Sequence, residues 1–152
     1  MDHAQRLKQS LEGVTNITII GAGFLAFELA SSLADPSRTI RILAKGIRAL
    51  PQVAVKTADR LVDQAPASIR VGVEIERFDE TTQALVTNHG SIPSDLVIAA
   101  IGAQPNDTLA TACGLGSSDG IPVDEFMQTA HPKVSAIGEV SLHHQPHLNR
   151  IQ

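Results

Sequence analysis

The amino-acid sequence predicts an α/β fold built around a parallel sheet, and three features lead to that prediction. An apolar β-branched run, Ile17–Ile20, leads directly into a glycine turn and then into a helical pattern. A second strand pattern, Thr39–Ala44, follows that helix. A nearly continuous apolar run, Asp95–Ile101, is typical of a strand buried on both faces of a sheet. Strand, helix and strand in this order indicate two parallel strands joined by a crossover helix.

Hydrophobic periodicity predicts the helices of the first half. Residues 1–13 are expected to be a lead-in helix, because apolar residues recur there at helical spacing until a glycine ends the pattern. The main helix after the glycine turn has one apolar face that should pack on the sheet, formed by Leu25, Leu29 and Leu33 with Ala26 and Ala30. A third helical pattern covers residues 53–65.

The pattern changes to short alternating segments after a brief strand at residues 69–71. Residues 73–78 and 84–87 alternate apolar and polar side chains, and a turn follows at residues 88–90. This spacing predicts an antiparallel meander in place of a crossover helix. The apolar run that comes next ends at Gly102, at the edge where open parallel sheets bind ligands.

Composition limits the classes of function. With 152 residues, of which 43% are hydrophobic and 18% charged, the chain suits one domain over residues 1–152 with a substantial core. A net charge of -4 without a basic cluster argues against binding to nucleic acid. No apolar run approaches the roughly 20 residues that cross a bilayer, and no signal-peptide core opens the sequence, so a cytoplasmic protein without a membrane partner is expected. The single cysteine, Cys113, excludes an internal disulfide and is expected to be a small core residue.

The glycine turn has the residue types that a dinucleotide site needs. Gly21 allows a tight turn after the strand, Gly23 lets a pyrophosphate approach the backbone, and Ala26 lets helix and strand pack closely. Free N–H groups at the helix start and the helix dipole would then face the phosphates. The alternative is a buried strand and helix joined by a turn of small residues that binds no ligand.

The end of the second strand bears on the choice between NADH and NADPH. A carboxylate at this position usually accepts hydrogen bonds from the adenosine ribose hydroxyls of NADH, whereas a 2'-phosphate needs cations. Here the strand ends at Ala44 and Lys45, with Arg48 close behind and no acid nearby in the sequence. This favours NADPH over NADH. The alternative is that both cations are ordinary solvated surface residues.

Four blocks in a fixed order suggest a family. They are Ile19–Ala30, Asp95–Asn106, Gly120–Glu125 together with Thr129, and Val134–Val140. In these blocks the chain resembles, along almost its whole length, the NAD(P)-binding domain of the FAD-dependent pyridine nucleotide-disulfide oxidoreductase superfamily. The resemblance implies a Rossmann-like three-layer domain, with a central parallel sheet, helices on one face and an antiparallel β-meander on the other. Such a domain docks NAD(P)H so that the nicotinamide passes a hydride to the flavin of an FAD-binding domain.

The resemblance also assigns expected roles to residues. The glycine turn with Phe24 and Leu25 would lie along the pyrophosphate and the nicotinamide ribose, and Glu28 would face the nicotinamide. Glu28 has a simpler explanation, since a carboxylate near a helix N-terminus is favourable without a ligand. Ile101 and Gly102 would line the nicotinamide pocket. Lys45 and Arg48 would stand where the NADPH-dependent glutathione reductase branch places its phosphate-binding cations.

The closing block departs from the superfamily's usual pattern. The motif normally ends Gly-Asp, with the carboxylate near the flavin, but here it is Gly138-Glu139, a variant similar to nitrite reductase NAD(P)H-binding subunits and relatives of rubredoxin reductase. Residues 134–152 would be the return segment toward an FAD domain, and the chain is expected to be an excised domain or a truncated paralogue. The predicted nucleotide- and flavin-contacting residues are Gly21, Ala22, Gly23, Phe24, Leu25, Ala26, Glu28, Ala44, Lys45, Arg48, Ile101, Gly102 and Glu139.

No metal site and no catalytic acid, base or nucleophile is predicted. His143, His144 and His147 form a cluster, but Pro146 interrupts it and acid or thiolate partners are absent. Two functions remain open. The chain is either the NAD(P)H-docking domain of a flavin-dependent reductase or a non-catalytic module that binds a nucleotide or a protein partner. An apolar docking face could also drive homodimer formation.

Overall fold

A computed structural model of the chain describes residues 2–145 and 150–151, which group into two compact units, Met1–Gly102 and Ala103–Gln152. The first unit contains three helices and seven strands: α1 (Asp2–Ser10), β1 (Asn16–Ile20), α2 (Phe24–Leu33), β2 (Thr39–Ala44), α3 (Val55–Gln64), β3 (Ser68–Val71), β4 (Ile75–Asp79), β5 (Ala84–Thr87), β6 (Gly90–Pro93) and β7 (Leu96–Ala99). Strands β3-β2-β1-β7 form a parallel sheet, and β4-β5-β6 form an antiparallel one. The predicted parallel sheet and meander are confirmed.

Alternation along the central strands separates two cores. Ile17 and Ile19 of β1 are fully buried in a cluster with Ala26 and Ala30 of α2. Neighbouring side chains of a strand point to opposite faces. Leu43 of β2 accordingly belongs to the other cluster, formed with side chains of the meander, namely Val73, Leu85 and Ile92. The helices therefore cover one face of the parallel sheet and the meander covers the other, as predicted.

Small residues determine how closely α2 lies on the sheet. Ala26 and Ala30 are completely buried, as their spacing of four positions along one helix face requires. Each buried side chain on this face contributes roughly 1–3 kcal/mol through removal of apolar surface from water, with alanine at or below the lower end. The close packing fixes the start of α2 beside the end of β1.

A polar contact crosses between the sheet and the meander. Thr18, on the face of β1 opposite Ile17, forms a side-chain hydrogen bond with Ser94, and both residues are fully buried. Leaving either hydroxyl without its partner would cost about 1–3 kcal/mol. The pair thus fixes the position of the segment between β6 and β7 on the sheet.

Asp95 joins the starts of β1 and β7. Its Oδ2 accepts hydrogen bonds from the backbone N–H groups of Asn16 at 2.7 Å and Thr15 at 3.1 Å, and from the Thr15 hydroxyl at 2.9 Å. The N–H of Asn16, followed by the Thr15 groups, holds the pKa of this carboxyl below its usual value. The carboxylate therefore supports the pairing of two strands that are distant in sequence.

Three predictions about burial were wrong. Strand β7 ends at Ala99, and Leu96–Ile98 are only half-buried, because β7 lies at the edge of the parallel sheet. Cys113 is exposed, because it follows the last residue of a short helix without buried residues. Leu25, predicted to pack on the sheet, is exposed, because it lies in the first turn of α2 next to open space. None of these differences alters the order of the elements.

The second unit has short elements: α4 (Thr108–Ala112), β8 (Ile121–Pro122), β9 (Ser141–Leu142), β10 (His144–Gln145) and β11 (Arg150–Ile151). Strands β8 and β9 are parallel, and β10 and β11 are antiparallel. Thr129 closes a turn in this unit, since its hydroxyl donates to the carbonyl oxygen of Val134 at 2.8 Å. Among the described residues, no helix is long and apolar enough to span a membrane.

Candidate nucleotide site at the carboxyl edge of the parallel sheet

The glycine turn after β1 lies between the ends of β2 and β7. Gly21 has φ +105°, and a Cβ added there would lie 2.2 Å from the carbonyl oxygen of Ala100. The N–H of Gly21 donates to Leu43 O at 2.8 Å, and the N–H of Ala100 donates to Ile20 O at 2.7 Å. Only glycine satisfies both this backbone conformation and this close approach. The turn is thereby fixed at the carboxyl ends of three neighbouring strands.

The start of α2 presents unpaired backbone donors. Gly23 is the N-cap and makes no side-chain cap, while its carbonyl oxygen accepts the N–H of Ala26 at 3.1 Å. Within the described residues, no acceptor binds the N–H groups of Phe24 and Leu25. An added Cβ at Gly23 would meet no described heavy atom within 4 Å, so the space in front of these donors is open. This end of the helix can accept a phosphate group.

Predicted site residues of the turn divide into buried and exposed ones. Ala22 and Ala26 are buried, so their contribution is to packing and backbone position. Phe24 and Leu25 are 52% and 54% exposed, and Ile101 is 76% exposed. Glu28 is also exposed on α2. The exposed apolar side chains provide surface that a flat heteroaromatic ring could cover.

Gly102, in the segment after β7, has a backbone conformation that favours glycine. Its φ is +134°, a region that residues with a side chain rarely adopt. The neighbouring Ile101 Cα would lie 3.5 Å from a Cβ added at Gly21, which brings the two predicted parts of the pocket side by side. Gly102 closes the first compact unit.

Arg48 is engaged with the backbone of its own loop. Its Nη2 donates to the carbonyl oxygens of Leu50, Pro51 and Val53 at 3.4, 2.6 and 2.7 Å. Leu50 is fully buried with φ +47°, and its N–H donates to Ala22 O at 2.8 Å. The loop after β2 is therefore tied to the glycine turn through Leu50, a link that no sequence pattern indicated.

Lys45 has an acidic partner that sequence proximity did not reveal. Its Nζ lies 3.0 Å from Oε1 of Glu74, and the two side chains are 81% and 58% exposed. The expectation of a strand end with no acid nearby was wrong, because the acid arrives from the segment between β3 and β4. Ala44, at the same strand end, is half-buried. Gly72, two residues before Glu74, has a positive φ. A glycine in the sequence indicates a turn there, but it does not show that the turn brings Glu74 to Lys45.

The remaining predicted site residue, Glu139, lies in the second unit. Its side chain is exposed, and it follows Gly138, which has φ +83°. Within the described residues, no group of three or more His, Cys, Asp or Glu could hold a metal ion. Of the histidine cluster considered from sequence, His147 and the side chain of His144 lie outside the described part of the chain.

Comparison with known proteins gives a family and several relatives. The profile described as pyridine nucleotide-disulphide oxidoreductase matches residues 1–152. Putidaredoxin reductase CamA from Pseudomonas putida is 29% identical over 95% of the chain and 36% of the reductase. The ferredoxin–NAD(+) reductase component of an anthranilate 1,2-dioxygenase system from Burkholderia cepacia is 30% identical over 97% of the chain and 38% of its own length.

The solved structures agree with this result. A ferredoxin reductase from Rhodopseudomonas palustris superimposes with a TM-score of 0.80 at 26% identity, over 99% of this chain and 39% of that protein. The chain thus spans between a third and two fifths of the length of these three proteins.

Proposed function

The chain belongs to the pyridine nucleotide-disulphide oxidoreductase family, whose members use FAD and NAD(P)H, and from this premise we propose that it is an NAD(P)H-binding domain of an FAD-dependent oxidoreductase. We further propose that residues 1–152 act as one such domain. The observation that supports the nucleotide role best is the open, uncapped start of α2, with free N–H groups at Phe24 and Leu25. A pyrophosphate bound there would be stabilised by both N–H groups and by the helix dipole.

The remaining site residues would orient the rest of the nucleotide. The adenosine ribose would lie beside Ala44, where Lys45 favours the 2'-phosphate of NADPH. The nicotinamide would lie against Ile101 and Gly102, with Glu28 on the facing helix. These contacts hold and orient a hydride donor. They need no side-chain acid or base, because a hydride leaves the nicotinamide with its electron pair.

The flavin chemistry belongs to another part of the enzyme. We propose that an FAD-binding domain of the same longer chain or of a partner chain receives the hydride, and that Glu139 lies toward it. Bound FAD supplies the electron sink for the hydride. The relatives' names favour a small iron-sulfur protein of the ferredoxin type as the final acceptor, whereas the nitrite reductase branch and a cytoplasmic location stay predictions.

The nucleotide role can be tested by calorimetric titration of the chain with NADPH and NADH. Replacement Gly23→Ala places a methyl group in the open space before the helix N-terminus, where it meets no described atom. We expect at least tenfold weaker binding of both nucleotides with an unchanged circular dichroism spectrum, because the methyl group occupies the position of the pyrophosphate. The matched control is Ser32→Ala, an exposed position near the other end of the same helix.

Equal binding by the unmodified chain and the Gly23→Ala variant would contradict this assignment of the pyrophosphate. If neither nucleotide bound at millimolar concentration, the glycine turn would serve packing alone. The second candidate, a non-catalytic module that binds a protein partner, would then lead. Apolar side chains exposed in the second unit favour that alternative, namely Leu109, Phe126 and Ile137. They would equally suit contact with an FAD domain or a homodimer.

A further inference from the structure

The ion pair at the end of β2 combines a predicted nucleotide contact with an acid of no assigned role. This ion pair joins Lys45 Nζ to Glu74 Oε1 at 3.0 Å. Because both side chains are largely exposed, the pair itself contributes little to folding stability. Its position at the carboxyl edge of the parallel sheet is therefore of more interest than its strength.

Backbone hydrogen bonds hold Glu74 in this position. On the side of the parallel sheet, the N–H of Gly72 donates to Gly46 O at 2.9 Å and that of Val73 donates to Ala44 O at 3.0 Å. On the side of the meander, the N–H of Glu74 donates to Asn88 Oδ1 at 2.9 Å and its carbonyl oxygen accepts the Asn88 N–H at 3.1 Å. The side chain of Val73 is buried in the second core. The main chain is thus fixed on both sides of the carboxylate.

The two cations near the strand end are not equally available to a ligand. The Nη2 of Arg48 is bound to three carbonyl oxygens, and its displacement would release the loop that carries Leu50. In the part of the chain that the structure describes, Lys45 pairs with one exposed carboxylate, which another anion can replace. A 2'-phosphate would therefore compete with Glu74 for Lys45.

Resting on the proposed nucleotide site, we propose that Glu74 is a specificity residue that limits the preference for NADPH. The 2'-phosphate of NADPH must displace Glu74 from Lys45 and then remain near its negative charge. The 2'-hydroxyl of NADH is neutral, so it neither has to displace Glu74 nor is repelled by its charge. Since the groups are exposed, the effect on the ratio of dissociation constants is modest, roughly threefold to tenfold.

The test measures the dissociation constants of NADPH and NADH for the 152-residue chain and its Glu74→Gln variant by calorimetry. We expect NADPH to bind roughly threefold to tenfold more tightly to the variant, and NADH to change by less than about twofold. The gain should diminish in high salt, because salt screens exposed charges. Glu76→Gln is the matched control, since it removes an exposed carboxylate two residues away that contacts no lysine or arginine in the described part of the chain.

The outcomes separate this proposal from the one on which it rests. If both nucleotides bind and their ratio is the same in the unmodified chain and in Glu74→Gln, Glu74 has no role in specificity. If Glu76→Gln tightens NADPH binding equally, the effect is one of net charge and the proposal also fails. Failure of the unmodified chain to bind either nucleotide contradicts the proposed function instead. In a Lys45→Gln background, Glu74→Gln should shift the ratio less, because competition for the ammonium group is gone.

Discussion

At the scale of single residues, the two glycines of the turn meet different physical requirements. Gly21 has a positive φ and touches the end of β7, so it serves the fold. Gly23 has φ -88° and faces open space, so the fold does not require a glycine there. A glycine at this half-buried position is what the proposed nucleotide site requires, since it lets a pyrophosphate approach the backbone.

The contrast between the glycines leads to a prediction about stability. Gly21→Ala should lower the free energy of unfolding by roughly 3 kcal/mol or more, because it combines an unfavourable φ with a collision with the backbone. Gly23→Ala should change it by less than about 1 kcal/mol, since alanine adopts its φ and only the capping preference is affected. Urea denaturation followed by circular dichroism measures both. Comparable losses in the two variants would contradict this division of roles.

At the scale of secondary-structure elements, β1 and β7 depend on one carboxylate. Asp95 follows the meander and binds the backbone at the start of β1, and the Thr18–Ser94 contact lies next to it. These bonds close the long connection between two parallel neighbours. They hold the start of β7 beside β1, and the N–H of Ala100, which donates to Ile20 O, holds its end beside the glycine turn.

The Asp95 contacts predict a pH dependence of stability. The folded-state pKa of this carboxyl lies below 3.8, so its contribution is complete well above that value and is lost as the pH falls from about 5 through the folded-state pKa. Asp95→Asn should therefore lower the urea midpoint at pH 7 and reduce the slope of stability with pH between about 5 and 3. Asp63→Asn, at an exposed position of α3, is the control. Parallel pH profiles for the unmodified chain and Asp95→Asn would contradict the prediction.

The element order was predictable because it follows from local patterns. Period-two and period-3.6 repeats and the glycine turn identified the helices, the parallel strands and the meander of the first unit, whereas the short elements of the second unit have no such pattern. The contacts at the strand ends were not predictable in this way. Glu74 reaches Lys45, and Arg48 binds the loop carbonyls, only because separate segments meet at one edge of the sheet. The half-burial of β7 likewise depends on its place in the sheet order, which its own composition does not state.

At the scale of the whole molecule, the chain corresponds to part of the length of its relatives. The proposed site offers unpaired backbone N–H groups and apolar surface, and under the proposed function the hydride acceptor is the flavin of another domain. Exposed apolar side chains in the second unit suit a surface that a further domain covers. The single-domain prediction for residues 1–152 stays a prediction.

The purified chain should therefore bind nucleotide without consuming it. We expect no NADPH oxidation above the buffer blank, measured by absorbance at the nicotinamide band, when no flavoprotein is added. The physical reason is that a bound hydride donor needs a neighbouring electron sink. Steady oxidation by the flavin-free chain would show that it contains a redox centre of its own. A flavoprotein of the same family is the positive control.

The triple carbonyl contact of Arg48 has a consequence for how coenzyme preference could change during evolution. Replacing this arginine would alter charge and also leave the carbonyl oxygens of Leu50, Pro51 and Val53 without their donor, so a mutant would lose stability before it gained a new coenzyme. The side chain of Glu74 has no such structural role beyond one exposed ion pair, whereas Ala44 packs against the core. Changes of coenzyme preference should therefore arise at Glu74 more readily than at Arg48, which is retained in descendants of either preference.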